Sequence, residues 1–276
     1  MEYTSIMVHL DTSPRALDRL EIAARLAVAR HARLIGLFSG FMPDPAWFYL
    51  MEGAATYVDE DRQRRGDSRE NVRRRFEAAT RDLGVDTEWR AVEGDPLVMA
   101  LREAREADLI VAGQYDPADP DSFVATQFLE TIVLDSGRPV LVIPFAGKFT
   151  VPGARAMVAW NGGREATRAL HDAMPLIAGG EAKVLCAQGA GARPDASLPG
   201  HAVAALANHG VRADIDYCQA GSDLAIGEML LSRAADFGAD LVVMGAYGRG
   251  RLRELVLGGV TRTLLDTMTV PVLMSH

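Results

Sequence analysis

The chain repeats itself, and this repeat limits its fold more than any other feature. At a shift of 150 residues, the segment 5–20 aligns with 155–170. At a shift of 132 residues, 107–142 aligns with 239–274 without a gap. The sequence is therefore a tandem duplication of a unit of roughly 130 to 145 residues. The two units meet near the Pro/Gly-bearing linker 144–148.

Each unit alternates apolar strand patterns with helical ones. Strands separated by helical crossovers must be parallel, with right-handed connections. The predicted fold is thus α/β, with two tandem doubly wound units, residues 1–147 and 148–276. Each unit is an open five-stranded parallel sheet flanked by helices, of the Rossmann-like type. In the second unit the strands are predicted near 155–160, 182–187, 212–218, 240–245 and 270–275.

The closing strand of each half is apolar and would lie at a sheet edge. An uncovered edge of this kind invites pairing with another strand. We expect the two halves to pair within one chain as a pseudo-dimer. Assembly of two chains into a homodimer is a further expectation.

A glycine-rich loop in the second half carries the clearest chemistry. Five glycines fall within residues 245–259, directly after the apolar run 240–243 and before a helical pattern that begins near Val260. Glycines let a backbone adopt positive φ and let an anion approach its N–H groups. The pattern favours a phosphate site, although a plain strand–helix connection rich in turn residues is the alternative. Since ligands of such sheets bind beyond the carboxyl ends of the strands, the turn 160–163 should complete the pocket.

The matching loop of the first half lacks these glycines. Gly248 is replaced there by Asp116, Gly258 by Thr126 and Gly259 by Gln127. The loop also has three acidic residues, which would repel a phosphate, and two prolines, which lack N–H donors. The first half is predicted to have the fold of the site but not the residues that would bind a phosphate.

The first half also carries an aromatic-rich insertion at 41–66. It could be a lid, a partner surface or a helix that covers the core. Packing or partner contact is favoured over catalysis.

The duplicated unit and its glycine loop resemble the universal stress protein family in its tandem two-domain form. The family's nucleotide signature is Gly-x2-Gly-x9-Gly followed by Ser or Thr, and Gly245, Gly248 and Gly258 match its spacing. The resemblance covers essentially the whole chain apart from 41–66. It implies that residues 155–276 bind ATP or a related adenine nucleotide such as ADP or AMP, with Mg²⁺ entering alongside ATP.

The resemblance also implies roles for single residues. Gly245 and Gly248 would line the phosphate loop, Asn161 would lie near the ribose or adenine, and Ala187 would border the adenine. The full candidate site comprises Trp160, Asn161, Gly162, Ala187, Met244, Gly245, Gly248, Arg249, Gly250, Gly258, Gly259, Val260 and Thr261.

Two positions depart from the family pattern. Gly259 replaces the signature Ser/Thr, so a hydroxyl donor is lost, although Thr261 could substitute for it. Asn161 replaces a frequent Asp and keeps a hydrogen-bonding side chain. One neutral hydrogen bond contributes ~1 kcal/mol, about fivefold in affinity, so binding should be weakened rather than abolished.

The sequence argues against a conventional enzyme. The loop lacks the Lys-Ser/Thr ending of a P-loop, and its glycines do not form GxGxxG. Arg249 or Arg251 could contact phosphate or could simply solvate a surface helix. The first hypothesis is a stress-response regulatory protein that binds an adenine nucleotide. The alternatives are a non-nucleotide dimeric interaction scaffold and a weak ATPase, with at most slow hydrolysis or autophosphorylation.

Other classes of function are disfavoured by composition. The formal net charge of −8 argues against a nucleic-acid partner, because phosphate binding needs surplus Lys and Arg. The arginine run 73–75 is interpreted as the solvated side of a helix. The sequence shows neither a membrane span nor a signal peptide, so we expect a cytoplasmic protein that binds no membrane.

No catalytic or metal-binding role is favoured for the cysteines and histidines. Cys186 and Cys218 are expected to be buried and reduced, although adjacent strands would bring their thiols near each other. His9 and Asp11 could form a base–carboxylate pair, but a structural histidine is favoured. The spacing of His201, His209 and His276 is not that of metal ligands.

Overall fold

The computed structural model describes residues 2–39, 54–92, 94–116, 125–188, 197–219, 223–246 and 259–276. The described part contains ten strands and eight helices. The strands are β1 (Ser5–Leu10), β2 (Arg33–Ser39), β3 (Thr87–Val92), β4 (Leu109–Gly113), β5 (Val140–Ile143), β6 (Arg155–Ala159), β7 (Glu181–Gln188), β8 (Arg212–Gln219), β9 (Leu241–Gly245) and β10 (Val272–Ser275). The helices are α1 (Ala16–Arg30), α2 (Ala54–Thr80), α3 (Pro96–Ala104), α4 (Ala125–Asp135), α5 (Arg164–Ile177), α6 (Ser197–Asn208), α7 (Asp223–Phe237) and α8 (Gly259–Thr267).

All ten strands form one sheet, in the order β3-β2-β1-β4-β5-β10-β9-β6-β7-β8. The five strands of each half are mutually parallel. The α/β fold with parallel, doubly wound halves is therefore confirmed. The five predicted strands of the second half are all present, with ends that differ by no more than two residues. The largest difference is at β10, which starts after Pro271, a residue with no N–H to donate.

The two halves are joined through their closing strands. β5 and β10 pair antiparallel, with Leu141 opposite Leu273 and Val142 opposite Val272. This is the pairing that the two apolar edges predicted. A further bond across the halves runs from the Tyr3 hydroxyl to the backbone oxygen of Asp172.

The strand register reproduces the two sequence shifts. In the first half Ile6 pairs with Leu109, and in the second half Ala156 pairs with Leu241. Position 156 lies 150 residues after position 6, and position 241 lies 132 residues after position 109. The two halves therefore repeat the same strand pairing as well as the same sequence pattern.

Helices cover both faces of the sheet. Buried side chains of α1, α2, α5 and α6 share one core cluster. Those of α3, α4, α7 and α8 share a second cluster on the other face. Because both faces are buried, the central strands are apolar throughout; residues Leu241 to Met244 are each no more than 4% exposed.

The long helix α2 accounts for part of the predicted insertion. Residues 41–53 lie outside the described part of the chain, whereas 54–66 begin a helix that continues to Thr80. Within this helix Arg73 pairs with Glu70 and Glu77, at 2.9 Å each. This agrees with the prediction that the arginine run faces solvent.

The two cysteines cannot pair directly. They lie on the adjacent strands β7 and β8, but Cys186 is opposite Tyr217 and Cys218 is opposite Ala187. Since successive side chains on a strand point to opposite faces, the two thiols lie on different faces of the sheet. Both are free and buried, and burial raises the pKa of the Cys186 thiol to about 11.

In the part of the chain that the structure describes, each helix is too short or too polar to cross a membrane.

Candidate functional site

The turn after β6 and the end of β9 meet at one edge of the sheet. Ala159, the last residue of β6, pairs with Met244, so the two strands end side by side. A Cβ added to Gly245 would lie 2.5 Å from the backbone nitrogen of Ala166 in the first turn of α5. Only glycine permits this approach. Gly245 therefore seats the start of α5 against the end of β9.

Asn161 builds the turn that leads into α5. Its side-chain oxygen Oδ1 accepts a hydrogen bond from the Gly163 N–H at 2.8 Å. Gly162 lies between them with φ of +70°, in the left-handed region. Among the described residues, none accepts a hydrogen bond from the exposed amide NH₂ of Asn161. This group can donate to a ligand above the strand ends.

Three other predicted residues lie at this edge in different ways. Trp160 and Met244 are buried, at 8% and 4% exposure, and pack in the cores on opposite faces of the sheet. Their side chains therefore belong to the cores, and the Trp160 N–H donates to the Leu185 oxygen at 2.9 Å. Ala187 is exposed on β7, two residues beyond Leu185, the partner of Ala159.

Helix α8 begins at Gly259, whose carbonyl oxygen accepts a bond from the Thr263 hydroxyl at 2.9 Å. Val260 is partly buried, and Thr261 is only 2% exposed. The remaining predicted residues, Gly248, Arg249, Gly250 and Gly258, lie outside the described residues.

The first half builds the same turn from Asp11. Its oxygen Oδ1 accepts the Ser13 N–H at 3.0 Å, as Asn161 accepts Gly163. The space next to this turn, however, is filled by Arg19 from α1. Its guanidinium contacts the Asp11 carboxylate at 2.7 Å and is so close to β4 that a Cβ on Gly113 would lie 2.3 Å from Nη1.

Sequence reasoning missed Arg19. The residue is 4% exposed, an unusual burial for an arginine. One signal was available: the aligned position in the second half is Ala169, so a charged residue interrupts the apolar stripe of α1 at this point. Gly245 of the second half therefore contacts the backbone of α5, whereas the aligned Gly113 of the first half contacts the Arg19 side chain.

Burial and charge set the protonation of this filled site. Burial raises the pKa of Asp11, but Arg19, His9 and the hydrogen bonds from Ser13 together lower it further, and the carboxyl pKa falls to about 2. Burial lowers the pKa of His9 to about 4, so its ring is neutral near pH 7. The centroid of the His9 ring lies 4.3 Å from that of Phe128, with the two planes tilted by 34°. Its Nε2 forms a hydrogen bond with the Ser39 hydroxyl at 2.9 Å. The favoured interpretation of His9 as a structural residue agrees with these contacts.

Little space is left among the described residues at this edge of the first half. A cavity of about 30 Å³ lies among His9, Asp11, Ser13, Arg19 and their neighbours. This volume holds one or two water molecules, far less than a nucleotide needs. In the described ranges there is also no cluster of three or more His, Cys, Asp or Glu residues that could hold a metal ion.

Comparison with known proteins agrees with this architecture. A sequence model of the Universal stress protein family matches residues 2–144 and 223–276, well over half of the chain. The chain belongs to the universal stress protein family. One match falls in each half, so the family's domain is repeated.

Two solved structures that align with nearly the whole chain show the same fold. A universal stress protein from Archaeoglobus fulgidus DSM 4304 is 18% identical, covers 99% of this chain and 96% of its own, and has a TM-score of 0.72. A functionally unknown protein from Pseudomonas aeruginosa PAO1 is 16% identical over 99% of this chain and 92% of its own, with a TM-score of 0.58. A universal stress protein solved in complex with cAMP is 23% identical over 52% of this chain and 98% of its own, with a TM-score of 0.35. No curated protein matched the sequence.

Proposed function

We propose that this universal stress protein is a regulatory protein that binds an adenine nucleotide at the carboxyl edge of its second half. The observation that carries the proposal is the spacing of Gly245, Gly248 and Gly258 in the connection from β9 to α8. Gly245 lies where the turn after β6 meets β9, which is the switch point of the second half. Ligands of open α/β sheets bind at this point.

The described residues offer groups that fit such a ligand. The amide NH₂ of Asn161 can donate to a ribose hydroxyl or an adenine nitrogen. The first backbone N–H groups of α8 have no partners within the helix and can face a phosphate. The second half has Ala169 where the first half has Arg19, so this position of α5 places no guanidinium in the cleft. Mg²⁺ would enter with the nucleotide.

The proposed role is binding rather than turnover. The loop has no Lys-Ser/Thr ending, and the described site residues place no base or nucleophile at the strand ends. Any ATP hydrolysis or autophosphorylation would be slow.

The test is to identify the ligand and then remove its site. Heat-denatured, purified protein is analysed by mass spectrometry for released nucleotide, and ATP, ADP and AMP are titrated into the protein by calorimetry. Gly248→Asp, which copies Asp116 of the first half, should abolish binding. The matched control, Asp116→Gly, makes the reverse change in the first half and should leave the affinity unchanged.

Two results would refute the proposal. A wild-type protein that carries no nucleotide and binds none would favour the interaction scaffold. If Gly248→Asp binds as tightly as the wild type, the site lies elsewhere.

Assembly into a homodimer would need a surface other than the closing strands. β5 and β10 already pair with each other inside one chain. The outer edges of the described sheet are β3 and β8. We propose that any homodimer uses these edges or the helical faces, which sedimentation of the chain at increasing concentration would test.

A further inference from the structure

A single buried side chain of the first half holds the helix that follows the glycine loop of the second half. Gln114 comes directly after β4 and is 6% exposed. Its amide Nε2 donates to the backbone oxygen of Leu265 in α8, at 2.8 Å. Its Oε1 accepts the Phe145 N–H at 3.1 Å. Both ends of the amide are therefore used, one of them across the two halves.

The bond to Leu265 meets a need at the end of α8. The last carbonyl groups of a helix have no N–H partners within it. Helix α8 ends at Thr267. The Met268 N–H still donates a hydrogen bond to the Leu264 oxygen at 2.9 Å. Gln114 supplies the donor for the next carbonyl oxygen. A buried carbonyl left without a donor has given up its hydrogen bond to water without a replacement, which is unfavourable.

The opposite flank of α8 is held by close packing. Gly227 of α7 lies so near to α8 that an added Cβ would be 2.7 Å from Cβ of Thr263. A glycine inside a helix is unfavourable by itself, so this close approach is the structural reason for it. Helix α8 is thus fixed by α7 on one side and by Gln114 at its end.

This arrangement is one-sided. The residue that corresponds to Gln114 in the second half is Ala246, whose side chain cannot form hydrogen bonds. Only the first half, through this position, can reach the helix of the other half. The half without the glycine signature therefore supports the half that has it.

We propose that Gln114 is a positioning residue for the nucleotide site, acting through α8. The inference rests on the proposed function, because α8 carries Gly259, Val260 and Thr261 at its first turn. A nine-residue helix moves as a unit about 13 Å long, so a bond near its end sets where its first N–H groups lie.

The test compares Gln114→Met with Thr80→Val. Methionine keeps the length of glutamine and removes both hydrogen bonds. Thr80 is also 6% exposed, and its hydroxyl makes one buried bond to the Phe76 oxygen within α2, far from α8. Gln114→Glu serves as a second variant, since it keeps the acceptor and loses the donor at neutral pH. Stability is measured by urea denaturation for all four proteins.

Two readouts separate positioning from general destabilisation. Hydrogen exchange of the α8 amides, measured without nucleotide, should speed up about fivefold in both Gln114 variants relative to Thr80→Val. The affinity for the nucleotide identified in the wild type should fall about fivefold in the same variants and stay unchanged in Thr80→Val.

Each outcome decides a different claim. Unchanged α8 exchange in both variants would overturn the positioning role. Faster exchange with unchanged affinity would show that α8 does not hold the ligand, and would overturn the link to the site. A wild type that binds no nucleotide overturns the proposed function and this link, while the exchange data still decide whether Gln114 fixes α8.

Discussion

Replacing Arg19 by Met tests whether the first half is closed by an internal ion pair. Methionine keeps much of the aliphatic bulk and removes the guanidinium. Asp11, whose side chain is partly exposed, would lose its contact at 2.7 Å. Because Arg19 is buried and Asp11 is partly exposed, losing the guanidinium leaves the Asp11 charge without its partner in a partly desolvated position.

The magnitude follows from the pKa of Asp11. The interval between its ordinary value of 3.8 and about 2 is the net result of burial, Arg19, His9 and the Ser13 hydrogen bonds. It corresponds to roughly 2.5 kcal/mol at ~1.4 kcal/mol per pKa unit, and Arg19 is the largest of the effects that lower the pKa. The Asp11 side chain is 37% exposed, so water screens part of this energy. We therefore expect Arg19→Met to lower the free energy of unfolding by about 1–2 kcal/mol at pH 7.

The effect should depend on pH with a definite sign. The unfolded carboxyl of Asp11 gains its proton near pH 4, whereas the folded one stays charged down to about pH 2. The stabilisation by Arg19 is thus complete above pH 4 and is lost as the pH falls from 4 to 2. Urea denaturation at pH 7, 5, 4 and 3 measures the difference in unfolding free energy between Arg19→Met and the wild type. This difference should be constant down to about pH 4 and smaller at pH 3.

The matched control is Arg15→Met at the N-cap of the same helix. Arg15 contacts Asp18 at 3.3 Å, but both side chains are nearly half exposed, so the loss should stay below ~0.5 kcal/mol. A double-mutant cycle with Asp11→Asn measures the coupling between Arg19 and Asp11 directly. A coupling near zero, or an equal loss in Arg15→Met, would refute the reasoning.

Two glycine substitutions test the site and its packing. Gly259→Ser restores the hydroxyl of the family signature and should tighten nucleotide binding, measured by calorimetry, about fivefold. Gly200→Ser, at an open helix position, should leave the affinity unchanged. Equal affinities for Gly259→Ser and the wild type would contradict a phosphate contact at residue 259. Gly227→Ala should destabilise the fold by about 1–2 kcal/mol in urea denaturation, because its Cβ would meet Thr263 at 2.7 Å. Gly200→Ala, where nothing lies within 4 Å, should stabilise the fold by up to ~1 kcal/mol. If both substitutions raised the free energy of unfolding, α7 and α8 would not be held in close contact at Gly227.

The duplication and the apolar strand runs were enough to predict the fold. A strand buried on both faces must be apolar along its whole length, and helical crossovers force parallel pairing. These rules are local, so the sequence reveals them without knowledge of distant contacts. The pairing of β5 with β10 was predicted for a similar reason, since two apolar edges in one chain can cover each other.

The turn at Asn161 was also within reach of the sequence. An Asx side chain followed two residues later by glycine bonds its own backbone over a short distance. The glycine spacing that follows β9 is equally local. The roles of Gly248, Arg249, Gly250 and Gly258 stay predictions.

Only the tertiary structure decided what fills the first half and what holds α8. Arg19 is aligned with an alanine, and its burial depends on the distance between α1 and β4, which packing on both faces sets. Gln114 and Leu265 are 151 residues apart, and their bond exists because the antiparallel joining of β5 to β10 brings the two halves together. The sequence by itself determined the repeated frame and the half that carries the glycine signature. The contacts that fill the first half and hold α8 arise between segments distant in the chain, where no local pattern records them.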